Sequence, residues 1–124
     1  MDAARPDAYG AAVPPGRVLI IDDDEDVRVA TQDAMERHGY EVVAVGGGTE
    51  ALAYLTHDTP SIVLLDLHMD GGNGWEVLGA LRGHPRFAAT QIIVVTGSNA
   101  PVSPPTRVLR KPFKFDALLA ALAP

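Results

Sequence analysis

From Arg17 onward, short apolar runs alternate with stretches whose apolar positions recur at helical spacing. The runs are VLII (18–21), EVVAV (41–45), SIVLLD (61–66), QIIVVT (91–96) and RVLR (107–110). They are β-branched or leucine-rich, and several are apolar at consecutive positions. That is the pattern of strands buried on both faces of a parallel sheet. Between them, 25–38 places Val27, Ala30, Ala34 and Met35 on one side, and Gly39 follows as a stop. Ala51, Leu52 and Leu55 form a stripe within 49–57. Trp75, Leu78 and Leu81 form another within 73–82, with Asn73 available as its cap. Phe115, Leu118, Leu119 and Leu122 give the last face. Alternation of strand and helix predicts an α/β, doubly wound sheet with no internal repeat.

Two intervals break the rhythm. Residues 1–16 are rich in Ala, Pro, Gly and Asp without periodicity, which predicts a flexible N-terminal tail ahead of a domain at 17–124. Between the fourth and fifth runs the chain reads GSNAPVSPPT (97–106), with Pro101, Pro104 and Pro105 close together. A proline inside a helix costs about 3 kcal/mol, so a loop or a single turn is expected there.

Composition narrows the chemistry. A chain of 124 residues is one domain by length, large enough for a single core. Its net charge of −6 disfavours nucleic acid and anionic membranes as partners. The absence of cysteine excludes disulfides and thiolate metal sites, and the four histidines have no zinc spacing. No apolar run approaches the ~18 residues of a spanning helix. The first residues lack the apolar core of a signal peptide, so a cytoplasmic location is expected.

Ligands of open parallel sheets bind beyond the carboxyl ends of the strands. The residues ending the runs are therefore the candidate site: Asp22 and Asp23, then Asp66, Thr96 and Lys111. Asp22 and Asp23 open a run of acids that continues through Asp24, Glu25 and Asp26. The last three suit the cap and first turn of a helix.

VLIIDDDEDVR, IVLLDLHMDGGNGWEVL, IIVVTG and RKPF, in that order, resemble the successive signatures of bacterial two-component response-regulator receiver domains. The resemblance covers about residues 17–123. It implies a flavodoxin-like three-layer sandwich whose five-stranded parallel sheet has the order 2-1-3-4-5. Neighbouring strands lie about 4.8 Å apart, so Asp22, Asp23 and Asp66 become neighbours. Two charges about 5 Å apart repel by roughly 3 kcal/mol at an effective dielectric of 20. A hard dication with oxygen ligands removes that conflict, and Mg²⁺ is the expected cofactor.

The resemblance also implies roles. Asp66 matches the phospho-accepting aspartate, Asp23 the main metal-binding acid and Asp22 its partner. His68 would offer its backbone carbonyl to the metal. Thr96 would hydrogen-bond a phosphoryl oxygen, and Lys111 would pair with Asp66 before modification and with the phosphoryl group after it. Pro112 stands where the family often has a cis peptide bond. The implied partners are a sensor histidine kinase or phosphotransfer protein and an unknown downstream protein, with a homodimer possible. The domain is then a switch with weak self-phosphorylation and autodephosphorylation, not a metabolic enzyme. Because the chain stops at Pro124, output by protein contact is expected.

Three positions depart from the family pattern. GSNAPVSPPT is too short and proline-rich for the helix usual between the fourth and fifth strands, so that helix is expected to be short or absent. Sheet residues such as Ile93 and Val95 are then expected to be thinly covered, giving an unusual output surface. Val108 stands where an aromatic switch residue is usual, and Asp70 where proline is usual, followed by the flexible Gly71–Gly72–Asn73–Gly74. Two other readings stay open: a phosphorylation-independent interaction module on the same fold, and a Mg²⁺-dependent phosphohydrolase using the D-x-D of Asp22 and Asp24. Gly46–Gly47–Gly48–Thr49 lacks the lysine and spacing of a phosphate loop, and Trp75 is expected to pack on its helix face.

Overall fold

A computed structural model describes residues 16–69, 73–97 and 107–122. Five parallel strands form one sheet: β1 (Arg17–Ile21), β2 (Glu41–Val45), β3 (Ile62–Asp66), β4 (Gln91–Thr96) and β5 (Arg107–Arg110). Their order is β2-β1-β3-β4-β5, the flavodoxin-like order. The described helices are α1 (Glu25–Arg37), α2 (Gly48–Leu55), α3 (Gly74–Gly83) and α4 (Phe115–Leu122). None is long and apolar enough to cross a membrane.

Side chains alternate across a strand, so each strand feeds two cores. On one face Leu19, Ile21, Val63, Leu65 and Val94 meet Ala51 and Leu55 of α2 and Val77, Leu78 and Leu81 of α3. On the other, Val18, Ile20, Ile62, Leu64, Ile93 and Val95 meet Met35 of α1 and Leu118 of α4. Ile93 and Val95 are thus buried, contrary to the expectation of a thinly covered surface. The period of two turns both toward α1 and α4, while Ile92, Val94 and Val108 point toward the α2–α3 side. The proline-rich interval expected to lack a helix lies, from residue 98 to residue 106, outside the described residues, as do Asp70 and residues 1–15.

Local signals account for most element ends. Asp24 caps α1, its Oδ1 accepting from the Val27 N–H at 3.2 Å. Gly39 ends the following turn at φ 90, a left-handed conformation that glycine adopts without a Cβ penalty. Asn73 stands at the N-cap of α3, but its side chain does not cap. Its Nδ2 instead donates to Thr49 Oγ1 at 3.1 Å and ties α3 to α2. Trp75 is 46% exposed, not packed as expected, because the buried arc of α3 runs through Gly74, Val77, Leu78 and Leu81. A 3₁₀ turn at Pro85–Phe87, which apolar spacing did not predict, buries Phe87.

Parallel pairing in register brings all strand ends to one edge. Ile21 lies opposite Val45 and Leu65, Asp66 opposite Val95, and Thr96 opposite Arg110. At the opposite edge, Arg17 pairs with Glu41 at 3.1 Å and with Asp58, which also accepts from the Tyr54 hydroxyl.

Candidate functional site

Asp22 is the first residue past β1, and every one of its polar atoms has a partner. Its N–H donates to the Val45 carbonyl at 3.2 Å, and its carbonyl accepts from Arg28 Nη1 at 2.9 Å. Oδ1 accepts from the Asp24 N–H at 2.9 Å, and Oδ2 from Lys111 Nζ at 2.9 Å. Asp66, the last residue of β3, is held in the same way: Oδ1 accepts from the His68 N–H at 2.9 Å and Oδ2 from Lys111 Nζ at 3.2 Å. Both acids are buried, whereas Asp23 is exposed. One carboxylate oxygen each from Asp22, Asp23 and Asp66 lies within 4.8 Å of the others.

Lys111 reaches this cluster because its N–H bonds the Thr96 carbonyl at 2.9 Å, continuing the β4–β5 ladder one residue past β5. It enters a bend whose next bond, Lys111–Pro112, is cis. Thr96 is buried at the end of β4. The family resemblance implied a pairing of Lys111 with Asp66; in the structure it bridges Asp66 and Asp22, with the shorter contact to Asp22. His68 is exposed, and its backbone N–H serves the acid of β3.

Electrostatics follow from this crowding. Burial pushes the Asp22 carboxyl above the usual carboxylate range; the Asp24 N–H and Lys111 oppose that shift, and repulsion from Asp66 adds to it. Burial also works against the Lys111 charge. The hydrogen bond and attraction of Asp22, then those of Asp66, outweigh it and hold the ammonium above the usual lysine range. Lys111 bonds two of the three carboxylates, and the cluster gathers hard oxygen donors at one point. That donor set fits a small oxygen-seeking dication and offers nothing to a soft metal.

Gly74 explains how the loop after Asp66 closes so tightly. A Cβ there would stand 2.6 Å from the Leu67 carbonyl oxygen and 2.8 Å from that of Asp66, so only glycine lets α3 begin against the site. Asp24, the second acid of the D-x-D reading, spends its Oδ1 on the α1 cap. Sequence reasoning did not find Arg28. An arginine one turn into an amphipathic helix carries no signal of a neighbour at a strand end.

Comparison with known proteins gives one consistent result. The family model described as the response regulator receiver domain matches residues 18–123. The response regulator protein FleR of Pseudomonas aeruginosa is 31% identical over 115 residues, covering 86% of this chain and 24% of FleR. The first curated relatives are longer, and the chain spans between 12% and 48% of their length. The chemotaxis protein CheY4 of Vibrio cholerae superposes with a TM-score of 0.78 at 28% identity, covering 87% of this chain and 96% of CheY4. The response regulator TrrA of Thermotoga maritima, solved in complex with Mg²⁺ and BeF, gives a TM-score of 0.73 at 28% identity. It covers 84% of this chain and 93% of TrrA. Fold, edge cluster and family match agree that this chain belongs to the response regulator receiver domains, the phospho-accepting switch domains of two-component signalling.

Proposed function

We propose that Asp66 accepts a phosphoryl group from a sensor histidine kinase or phosphotransfer protein, and that the modified domain signals by contact with a downstream protein. The observation that carries this reading is the meeting of Asp22, Asp23 and Asp66 within 4.8 Å, with Lys111 bridging two of them. Asp22, Asp23, Asp66 and the His68 carbonyl would hold Mg²⁺. When bound, the ion neutralises phosphoryl oxygens as a Lewis acid. An Asp66 oxygen forms the new bond to phosphorus as the phosphorus–nitrogen bond of the donor phosphohistidine breaks. The electron pair remains on the imidazole nitrogen. Lys111 compensates charge on the transferred group, and the Thr96 hydroxyl donates to one of its oxygens. Small phosphodonors serve weakly in place of the kinase, and the acyl phosphate is slowly lost. Residues 17–124 form the working domain behind a tail at 1–16, at home in the cytoplasm, with self-association as one route to output.

One observation favours the reading without phosphorylation. Val108 packs half-buried against the α2–α3 core and has no ring to swing. Incubation with acetyl phosphate and Mg²⁺, followed by intact mass, separates the two. Gain of one phosphoryl mass, abolished in Asp66→Asn, is the expected result. No gain in the parent protein, with no phosphoester turnover, would favour the interaction module, and a gain that survives Asp66→Asn would exclude Asp66 as acceptor.

A further inference from the structure

We propose that Arg28 is a positioning residue for the metal-binding acids, acting through the backbone of Asp22; this rests on the reading of the acid cluster as a Mg²⁺ site. Arg28 lies in the first turn of α1, where its own N–H donates to the Asp24 carbonyl at 2.9 Å. Helical side chains lean toward the N-terminus of their helix, and here the guanidinium reaches back to the residue that follows β1. Nη1 donates to the Asp22 carbonyl at 2.9 Å in a part-buried contact. The peptide it grips joins Asp22 to Asp23, so it bears on two of the three clustered acids.

The placement has a chemical logic. Lys111 approaches from β5 and takes up a ligand oxygen on each of Asp22 and Asp66. Arg28 lies by the β2 end of the same edge and binds a carbonyl, so it occupies no carboxylate oxygen itself. It therefore orients the donors and places a fixed positive charge nearby without competing for a ligand atom. Its seat is built for it: a Cβ on Gly46, just past β2, would lie 3.3 Å from Nη1. Gly46 does not have the left-handed φ seen at Gly39, so its open side, not its backbone, is what the guanidinium uses.

Removing the charge alone would strengthen cation binding, whereas removing the grip on Asp22 would weaken it. The two effects have opposite signs, so the sign of the change decides between them. Positioning partners behind a metal ligand typically contribute about 10- to 100-fold in affinity. Mg²⁺ affinity is measured by calorimetry, thermal midpoint without metal by scanning, and acetyl-phosphate labelling at limiting and saturating Mg²⁺. Arg28→Ala is expected to bind Mg²⁺ about tenfold more weakly, to label slowly at limiting Mg²⁺, and to recover at saturation. Arg28→Lys, which keeps a donor and the charge, should regain most of the affinity. Gly46→Val keeps Arg28 but crowds its seat, and should weaken Mg²⁺ in the same direction; it also serves if Arg28→Ala does not fold. Affinity in Arg28→Ala or Gly46→Val equal to or tighter than that of the parent would overturn the proposal. So would a fall in thermal midpoint with no change in affinity. A parent protein that binds no Mg²⁺ would instead remove the underlying reading of the site.

Discussion

Lys111 sets the charge balance between Asp22 and Asp66. Its ammonium lies 2.9 Å from Asp22 and 3.2 Å from Asp66, and both partners are buried. Taking away one member of such a set leaves like charges facing each other in a low-dielectric pocket. Breaking buried pairs this way costs about 3–5 kcal/mol, and because Lys111 is itself part-exposed, Lys111→Met belongs at the low end, about 3 kcal/mol. A bound dication takes over the neutralisation, so millimolar Mg²⁺ should restore most of that loss. Urea unfolding with chelator and with Mg²⁺ measures both arms. An equal loss in the two conditions would mean that Lys111 contributes by packing and not by charge. Asp22 shows the same logic from the acid side. Burial raises its carboxyl while four hydrogen bonds through N, O, Oδ1 and Oδ2 fix its position. The pocket holds a poorly solvated anion in place instead of letting it move out to water.

At the scale of elements, the loop from β3 into α3 carries the coupling between acceptor and scaffold. Gly74 admits α3 against the carbonyls of Asp66 and Leu67, and Asn73 links the start of α3 to Thr49 on α2. Gly74→Ala puts a methyl against backbone, which cannot rotate away as a side chain can. The expected cost is about 1–3 kcal/mol, together with slower labelling of Asp66, because the strand end must shift. Denaturant midpoints and acetyl-phosphate labelling test this; unchanged values in both would show that the loop absorbs a methyl freely. What the chain disclosed in advance follows the same physics. Apolar runs of four to six residues marked β2, β4 and β5 to the residue, although β2 and β5 are edge strands and only partly buried. The acids, threonine and lysine were legible because they end those runs. The facing of Ile93 and Val95 was missed because a run apolar at every position does not say which residue points where. Trp75 was misplaced because it borders the buried arc of α3. Arg28 and the Asn73–Thr49 bond were invisible because each joins residues whose proximity exists only after folding.

At the scale of the whole molecule, a net charge of −6 raises an alternative account of any metal effect. A divalent cation could stabilise the domain merely by screening mutual repulsion, which any salt would do. A site behaves differently. Once free Mg²⁺ exceeds its dissociation constant, each tenfold rise adds about 1.4 kcal/mol to the folded state. For a domain of this size that is about 3–6 °C in thermal midpoint, and the increment persists at constant ionic strength. The midpoint should therefore climb with Mg²⁺ when NaCl is adjusted to hold ionic strength fixed. Asp22→Asn sharpens the comparison. It removes a charge that burial disfavours and that also repels Asp66, and Lys111 keeps Asp66 as a partner, so the metal-free midpoint should hold or rise while the climb with Mg²⁺ flattens. General screening predicts the reverse pairing: the same climb in the variant, reproduced by NaCl in the parent. Because the three carboxylates converge within 4.8 Å on one edge of the sheet, the local field there decides the response, and the remaining acids contribute a background that added salt removes.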